Sequence, residues 1–303
     1  MYRKYFHRKK LTPGKLAGKI VVYGFLIAVF IVTFFPFWNI LVLSFNDASD
    51  TLRGGIMLWP RVFSLESYAA VLKNDEILDS LVVTLARTFL GVPLTLLCVS
   101  MLAYVLSKPE LVHRRGINFF FVFTMYFSGG LIPTYMVIKG IGLIDNFLVF
   151  IFPGLINIYW MILVRTYMEG LPRELFEAAS VEGAGQFRMY TRIAIPLSKP
   201  ILATILLFSA ISHWNSWYDS YIYTYDPALK TLQAVLVKIL NQYQTGSMVS
   251  QAQQMADAAK KMPVNSESIR MAVTMVATLP IIMVYPFLQK YFIKGMLLGA
   301  VKD

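Results

Sequence analysis

The chain has 303 residues, of which 57% are hydrophobic and only 15% are charged, and its formal net charge is +11. Ordinary soluble domains are about half apolar and about one quarter charged, so this composition excludes that class. The charges are clustered and leave several windows of about 20 apolar residues, the length that crosses the hydrocarbon core of a bilayer as a helix. The basic residues stand at the ends of these windows, which indicates membrane topology and lipid contact rather than nucleic-acid binding.

Residue types that often bind metals or take part in catalysis are scattered along the sequence. Cys98 is the single cysteine and lies in an apolar run, where it is expected to be a small packing residue. The three histidines, His7, His113 and His213, have no spacing typical of metal ligands. The sequence also lacks a Gly-x-x-x-x-Gly-Lys-Ser/Thr phosphate loop and any arrangement that indicates a catalytic site. We therefore expect no metal or cofactor in this chain and no enzymatic activity.

The chain begins with a basic tail, residues 1–19, which carries Lys and Arg side chains but no acidic one. Such a tail is expected to lie on anionic lipid in the cytoplasm. A first span is predicted at residues 20–45, and because no cleavage site follows it, we expect it to be retained. Residues 46–80 are acidic and poor in Lys and Arg, which indicates an extracytoplasmic segment.

Three further spans are predicted between residues 81 and 167. A short basic connector that contains Lys108 is expected inside the cell. The third span is interrupted by Ser128-Gly-Gly130 and by Pro133. Arg87 and Arg165 lie within spans, where we expect them to snorkel or to pair between helices rather than to bind a ligand. The predicted spans are residues 81–106, 117–138 and 146–167.

A polar, Gly-punctuated stretch follows the fourth span, and residues 169–198 are called the Glu177 segment below. Its several Arg side chains place it in the cytoplasm. The predicted fold is an all-α integral membrane protein with six transmembrane helices, both termini cytoplasmic, and a cytoplasmic helix between spans four and five. The remaining elements are a fifth span at residues 200–218, an outer loop at 219–267, a sixth span at 269–292 and a cytoplasmic tail at 293–303.

The Glu177 segment has the punctuation of a short helix. Pro172 suits the first helical position, and Glu177 favours the positive end of the helix dipole. Gly183 is expected to stop this helix, because glycine readily adopts the left-handed conformation. A second short helix is expected over residues 186–195 and is ended by Pro196. Helical spacing places four residues on one face: Leu175, Ala178, Ala179 and Glu182.

Two interpretations of this helix are open from its own residues. Ala178 and Ala179 are small enough to let another protein surface approach closely. The alternative is an amphipathic helix that lies on the membrane surface without a protein partner.

The order of residues in the segment is also characteristic. It reads Glu177-Ala178-Ala179, then Gly183, Ile193 and Ile195-Pro196. This spacing resembles the signature of permease subunits of binding-protein-dependent ABC importers of the type I fold, although Ile195 stands where Leu is commoner. The resemblance covers residues 78–292 as a transmembrane domain of that family. Three stretches are similar to its carbohydrate-uptake branch, in particular to permeases for oligosaccharides or polysaccharide fragments: Phe127–Tyr135, His213–Tyr218 and Tyr291–Gly295.

The resemblance implies that the Glu177 segment holds a coupling helix, which docks into a cleft of a cytoplasmic ATPase. Glu177 would make a polar contact with the ATPase, and Gly183 would allow the turn. The implied partners are a homologous second permease, an ATPase dimer that binds ATP and Mg²⁺, and an extracytoplasmic sugar-binding lipoprotein. The implied location is the bacterial cytoplasmic membrane, which the chain would cross several times. The motif residues carried over are Glu177, Ala178, Ala179, Gly183, Ile193 and Pro196.

A route for sugar requires aromatic faces and hydrogen-bonding side chains inside or near the spans. Polar groups in spans usually face the interior of a bundle. The alternative for the aromatic residues is an anchoring role, since Trp and Tyr collect at membrane interfaces without any ligand. The candidates are His213, Trp214, Asn215, Trp217 and Tyr218 near the outer half of span five, Tyr126 and Tyr135 in span three, and Asn157 in span four.

Two other classes of protein remain as alternatives. An integral-membrane enzyme of lipid-linked sugar metabolism would need clustered acidic or histidine side chains at one membrane face, and the sequence offers none. A passive channel would not need a long cytoplasmic docking segment.

Overall fold

The computed structural model describes residues 13–246, 265 and 267–283, with side chains at 18–241, 265 and 267–283. This part of the chain is helical, and its only strand-like pairing is one isolated bridge between Asn46 and Phe63. The chain divides into two compact units. The smaller unit is Met1–Ala70 with Ala252–Met275, and the larger unit is Val71–Gln251 with Val276–Asp303.

The smaller unit is built around one long apolar helix, α1, at Pro13–Ser44. Short helices follow at Ala48–Thr51 (α2) and Glu66–Leu72 (α3). The carboxylate of Asp47 caps α2 by accepting the backbone N–H groups of Ser49 and Asp50. The hydroxyl of Ser49 also donates to this carboxylate. Its hydrogen bond has the largest effect, and together with the backbone hydrogen bonds it holds the pKa of Asp47 below its usual value. The acidic segment after α1 is therefore folded, although the sequence predicted no helix there.

The larger unit is organised by α4, Asp75–Ser107, whose first turn is capped by Asn74. Its packing partners are α7 (Ile158–Glu169) and α11 (Lys199–Asn215). Small residues on α4 allow close approach, and the core here includes Val99, Ala103, Met161, Val164 and Ile205. Pro93 lies within α4 without ending it, as membrane helices tolerate when neighbouring groups compensate.

The predicted third span is not a straight helix. It consists of α5 (Arg114–Tyr126) and α6 (Leu131–Gly140), which are bent by 115°. The break lies where the sequence predicted an interruption. Gly130 adopts a φ of +82° immediately before α6, a conformation that favours glycine. The predicted interruption of the span at residues 117–138 is therefore confirmed, as a sharp turn at the Gly pair.

The predicted fourth span is also bent, by 46°. It opens with 3₁₀ turns at Phe147–Phe150 and Phe152–Gly154, and a regular helix begins only at Ile158. Asn157 restarts the helix, since its side-chain oxygen accepts the backbone N–H of Trp160 at 3.1 Å. The expectation of one helix over residues 146–167 was therefore wrong for its first half.

The expected outer loop, residues 219–267, is helical over much of its described part. It contains α12 (Tyr218–Tyr223), a 3₁₀ turn at Pro227–Leu229 and α13 (Leu232–Gly246). A further helix, α14, is described at residues 267–283 within the predicted sixth span. The rest of that span, the tail 293–303, the stretch Tyr291–Gly295 and residues 1–12 lie outside the described residues.

Among the described residues, two helices are long and apolar enough to cross a bilayer alone, Gly18–Ser44 and Asp75–Ser107. Three bent pairs bring the number to five if each pair counts as one span. The count of six spans and the inside–outside assignment remain predictions.

Candidate functional site

The Glu177 segment begins with α8, Arg173–Val181. Pro172 occupies the N-cap, one residue before the predicted position, where its missing N–H leaves no donor unsatisfied. Glu174 lies in the first turn, where a negative charge is favourable to the helix dipole.

Gly183 ends α8 as the sequence predicted. Its φ is +77°, its N–H donates to the carbonyl of Ser180 at 3.0 Å, and the N–H of Ala184 donates to Ala179 at 2.9 Å. This pair of hydrogen bonds is a Schellman motif, which satisfies the last carbonyls of a helix. A Cβ at position 183 would meet no atom within 4 Å. Glycine is therefore required by backbone conformation and not by lack of space.

The second half of the segment comprises α9 (Gln186–Met189), a π-helical turn (Tyr190–Ala194) and α10 (Ile195–Leu197). The N–H of Ile195 donates to the carbonyl of Tyr190, five residues back. Pro196 has no N–H, and its ring is incompatible with the carbonyl of Arg192 in a regular helix, which explains the wider turn. The prediction that Pro196 ends this helix was therefore wrong. The helical path runs to Leu197 and then bends by 82° into α11.

The residues of the predicted motif lie on two sides of the segment. Glu177, Ala178, Gly183 and Pro196 are exposed. Ala179 and Ile193 are half-buried and pack against the core of the larger unit. The motif thus combines an outward face with residues that hold the segment in place, and the docking roles of individual residues remain predictions.

Sequence reasoning placed Leu175 on one face with Ala178 but missed the other large apolar side chains that are exposed in the segment. Leu175 is exposed, and Val181 and Phe187 expose 90% and 71% of their surface. The signal that could have identified these residues is the presence of large apolar side chains in an otherwise polar segment. Exposed apolar groups of this kind mark an interaction surface.

A cavity of about 320 Å³ lies beneath α8, where the ends of α4 and α7 meet it. Arg114 forms an ion pair with Glu169 at its edge. Burial lowers the pKa of Lys108, partly offset by the nearby carboxylate of Glu110. The charged side chains that line the cavity are Lys108, Glu110, Arg114, Glu169, Arg173 and Glu177.

Two of the candidate pathway residues, His213 and Trp214, are buried in the helix packing. The indole N–H of Trp214 donates to the backbone carbonyl of Ala277 at 2.8 Å. The ring of His213 lies against Gly91 of α4, where a Cβ would come within 2.6 Å of it. Both side chains therefore fasten α11 to its neighbours.

The exposed aromatic faces begin just beyond these two residues. The ring of Trp217 is edge-on to Tyr218 and to Tyr221, with centroids 5.9 Å and 6.0 Å apart. All three rings are exposed, Tyr221 by 63%. Sequence reasoning missed Tyr221, although it follows Trp217 by four residues and so lies on the same helix face. Asn215 is also exposed, and its side-chain oxygen lies 3.4 Å from Gln233 Nε2.

The other candidates are not gathered at this aromatic cluster in the described part of the chain. Tyr135 shares a hydrogen bond with Tyr225, with the hydroxyl oxygens 2.9 Å apart. Tyr126 is exposed at the end of α5, and Asn157 caps α7. Their part in a sugar route remains a prediction.

Two arginines within the predicted spans are paired. Arg87 is only 3% exposed and makes a bidentate contact with Asp219, at 2.6 Å and 3.1 Å, which joins α4 to the first turn of α12. Arg165 bonds to Asn118 and lies 3.4 Å from Glu169. The expectation of interhelical partners is confirmed for both.

Several known proteins are similar to this chain in sequence and in fold. The family described as "Binding-protein-dependent transport system inner membrane component" matches residues 67–298. The chain is 35% identical to the polygalacturonan/rhamnogalacturonan transport system permease protein YtcP of Bacillus subtilis (strain 168), over 93% of this chain and 97% of the relative. It is 36% identical to Protein LplC of the same organism, over 92% of each chain.

A solved structure agrees with these relatives. The fold matches a chain of a bacterial ABC transporter involved in the import of the acidic polysaccharide alginate, with a TM-score of 0.82 and 29% identity over 93% of this chain and 98% of that chain. The protein therefore belongs to the family of binding-protein-dependent transport system inner membrane components, and is a permease of the ABC transporter type.

Proposed function

We propose that this permease is one of two transmembrane subunits of an ATP-driven importer for oligosaccharides or polysaccharide fragments in a bacterial cytoplasmic membrane. The support for the substrate class comes from one relative named for polygalacturonan/rhamnogalacturonan transport and from the alginate importer. Fragments of acidic polysaccharides are therefore the first substrates to test. An extracytoplasmic binding protein delivers them.

The energy comes from a separate ATPase subunit that binds ATP and Mg²⁺. The chain has no phosphate loop of its own. The observation that carries the coupling role is the outward face of the Glu177 segment, where Glu177 and Ala178 lie beside exposed Val181 and Phe187. A carboxylate rimmed by apolar groups suits a protein groove that buries the apolar groups and pairs with the charge.

The geometry of the segment suits a lever. Gly183 ends α8 in a defined, hydrogen-bonded Schellman turn, so displacement of α8 is transmitted to the residues that follow it. The segment continues through α9 and α10 into α11 at a bend of 82° and is preceded directly by α7. Closure of the ATPase subunits would therefore displace α7 and α11 together and change the side on which the sugar route is open.

The route itself is assigned to the exposed aromatic rings beyond α11, Trp217, Tyr218 and Tyr221. Flat apolar ring faces next to hydroxyl and amide groups suit sugar rings. His213 and Trp214 support this surface from the interior.

Affinity purification tests the proposed function first. An ATPase and a second permease are expected to accompany the tagged protein. Proteoliposomes of that complex are expected to take up labelled oligogalacturonide only when ATP and the binding protein are present. A protein that purifies alone and conducts sugar without ATP would instead be a passive channel, and chemical conversion of a lipid-linked sugar would support the enzyme alternative.

A further inference from the structure

The last third of α4 carries Ser100, Tyr104 and Lys108 at intervals of four residues, with Lys108 at the C-cap. Side chains with this spacing lie on one face of a helix. All three contact the Glu177 segment, and they are called the α4 stripe below.

Ser100 and Tyr104 hold the second half of the segment. The hydroxyl oxygens of Ser100 and Tyr190 are 2.7 Å apart, and both residues are buried. The hydroxyl of Tyr104 donates to the side-chain oxygen of Gln186 at 3.0 Å. The rings of Tyr104 and Tyr190 are also in contact, with centroids 5.4 Å apart. These contacts fix α9 and the start of the π-helical turn to α4.

Lys108 holds the first half of the segment. Its Nζ lies 4.1 Å from the ring centroid of Phe176 on α8 and 4.6 Å from that of Tyr104. Within the described residues, no carboxylate lies within ion-pairing distance of Lys108. The ammonium group therefore binds to two aromatic faces, an arrangement that gains strength where water is excluded. Phe176 is half-buried and is the residue through which α8 meets this cation.

The opposite half of α4 is fastened to the region after α11. Arg87 pairs with Asp219, and the hydroxyl of Thr84 accepts the N–H of Leu232 at 2.8 Å. One helix therefore contacts the Glu177 segment at one end and the residues beside the exposed aromatic rings at the other. Chain connectivity alone links the segment only to α7 and α11.

We propose that the α4 stripe transmits displacement of the Glu177 segment to α4, with Lys108 as a positioning residue that keeps α8 attached. This inference rests on the proposed coupling role of the segment. It adds a third helix to the two that the chain connects directly, and it assigns the cation–aromatic contact a role in coupling.

The test compares Lys108→Met with Lys108→Arg in the complete transporter, reconstituted with its ATPase, second permease and binding protein. The readout is the ratio of substrate-stimulated to unstimulated ATP hydrolysis, together with sugar uptake. Lys108→Met is expected to lower the ratio by about threefold to tenfold, the range that corresponds to one cation–aromatic contact. Lys108→Arg keeps a cation over the rings and is expected to retain most of the ratio. Lys73→Met, at an exposed lysine of the larger unit, is the matched control and is expected to change nothing.

Two further variants distinguish the loss of a specific contact from misfolding. Tyr104→Phe removes only the hydroxyl bonded to Gln186 and is expected to lower the ratio by about twofold. Phe176→Leu removes one ring, and its effect should not add to that of Lys108→Met if both belong to one contact. A normal ratio in Lys108→Met, or an equal loss in Lys108→Arg, would overturn the role of Lys108. Failure of the wild-type protein to assemble with an ATPase would overturn the proposed function instead.

Discussion

The Glu177 segment and the aromatic stretch from His213 to Tyr218 were both selected from sequence as functional. They differ in how the structure distributes their side chains. In the segment, Pro172, Gly183 and Pro196 set the backbone path, and Glu177 and Ala178 of the motif face outward. In the aromatic stretch, neighbouring residues separate into buried Trp214 and exposed Trp217. Backbone-setting residues thus locate a surface more reliably than a cluster of aromatic residues does.

Reversal of the charge at Glu177 should have the largest effect of the changes considered. Glu177→Lys is expected to abolish sugar uptake and to reduce co-purification of the ATPase, because the variant places a cation where a carboxylate is proposed to bind. Glu177→Gln keeps the shape and should retain part of both. The protein should still reach the membrane, as an immunoblot of membrane fractions can check. Full uptake in Glu177→Lys would remove the segment from the proposed mechanism.

The turn at Gly183 provides the next test. Gly183→Asp is expected to abolish uptake in an inserted protein, and Gly183→Ala to lose part of it. A non-glycine residue at a φ of +77° costs about 1–2 kcal/mol, which loosens the end of α8. Gly185 has a φ of −70° and open space around it, so Gly185→Ala is the matched control and should behave as wild type. Equal behaviour of the two alanine variants in an uptake assay would show that the turn is not required.

The aromatic stretch is tested by a pair of tryptophans. Trp214→Ala removes a buried ring and is expected to destabilise the protein by about 3–5 kcal/mol, measured as a lower Tm in detergent. Trp217→Ala removes an exposed ring and should leave the Tm within about 2 °C of wild type while it changes the relative uptake of different oligosaccharides. If instead Trp214→Ala altered sugar preference at an unchanged Tm, the buried residue would belong to the route.

A change in the smaller unit should have the smallest effect, and it provides a reference for the variants in the Glu177 segment and the aromatic stretch. Asp47→Ala removes the cap of α2 and should cost about 1 kcal/mol. Because the folded-state pKa of Asp47 is lowered, this stabilisation is present above the unfolded pKa of about 4 and is lost as the pH falls through the lower folded value. The difference in Tm between wild type and variant should therefore shrink in acid. A difference that grows toward low pH would contradict the capping role.

Sequence patterns predicted the long elements well. The spans at residues 20–45 and 81–106 correspond to α1 and α4, because uninterrupted apolar runs of that length have one stable conformation in lipid. The Ser128-Gly-Gly130 break was also located, but its angle of 115° was not predictable, since glycine permits many backbone paths and packing selects one. The start of α7 depended on Asn157 as a cap, a role that its sequence neighbours do not specify.

The candidate site was predictable to a similar degree. The motif spacing located α8 and its end at Gly183. Helical spacing placed Ala178 and Ala179 on one face, whereas Ala178 faces outward and Ala179 packs inward. Adjacent helical positions differ by about 100°, so the direction of the core must be known to separate them. The sequence indicated only a topological role for Lys108, since its contact with Phe176 depends on how α8 packs against the end of α4.

The close contact between Gly91 and the ring of His213 determines which parts of the molecule can change shape. An imidazole ring seated directly on the backbone of another helix fixes both the axial position and the rotation of α11 on α4. The contact therefore resists sliding and rotation of α11 against α4. Changes of shape in a transport cycle are therefore expected at breaks away from this contact, such as the one at Gly130 between α5 and α6.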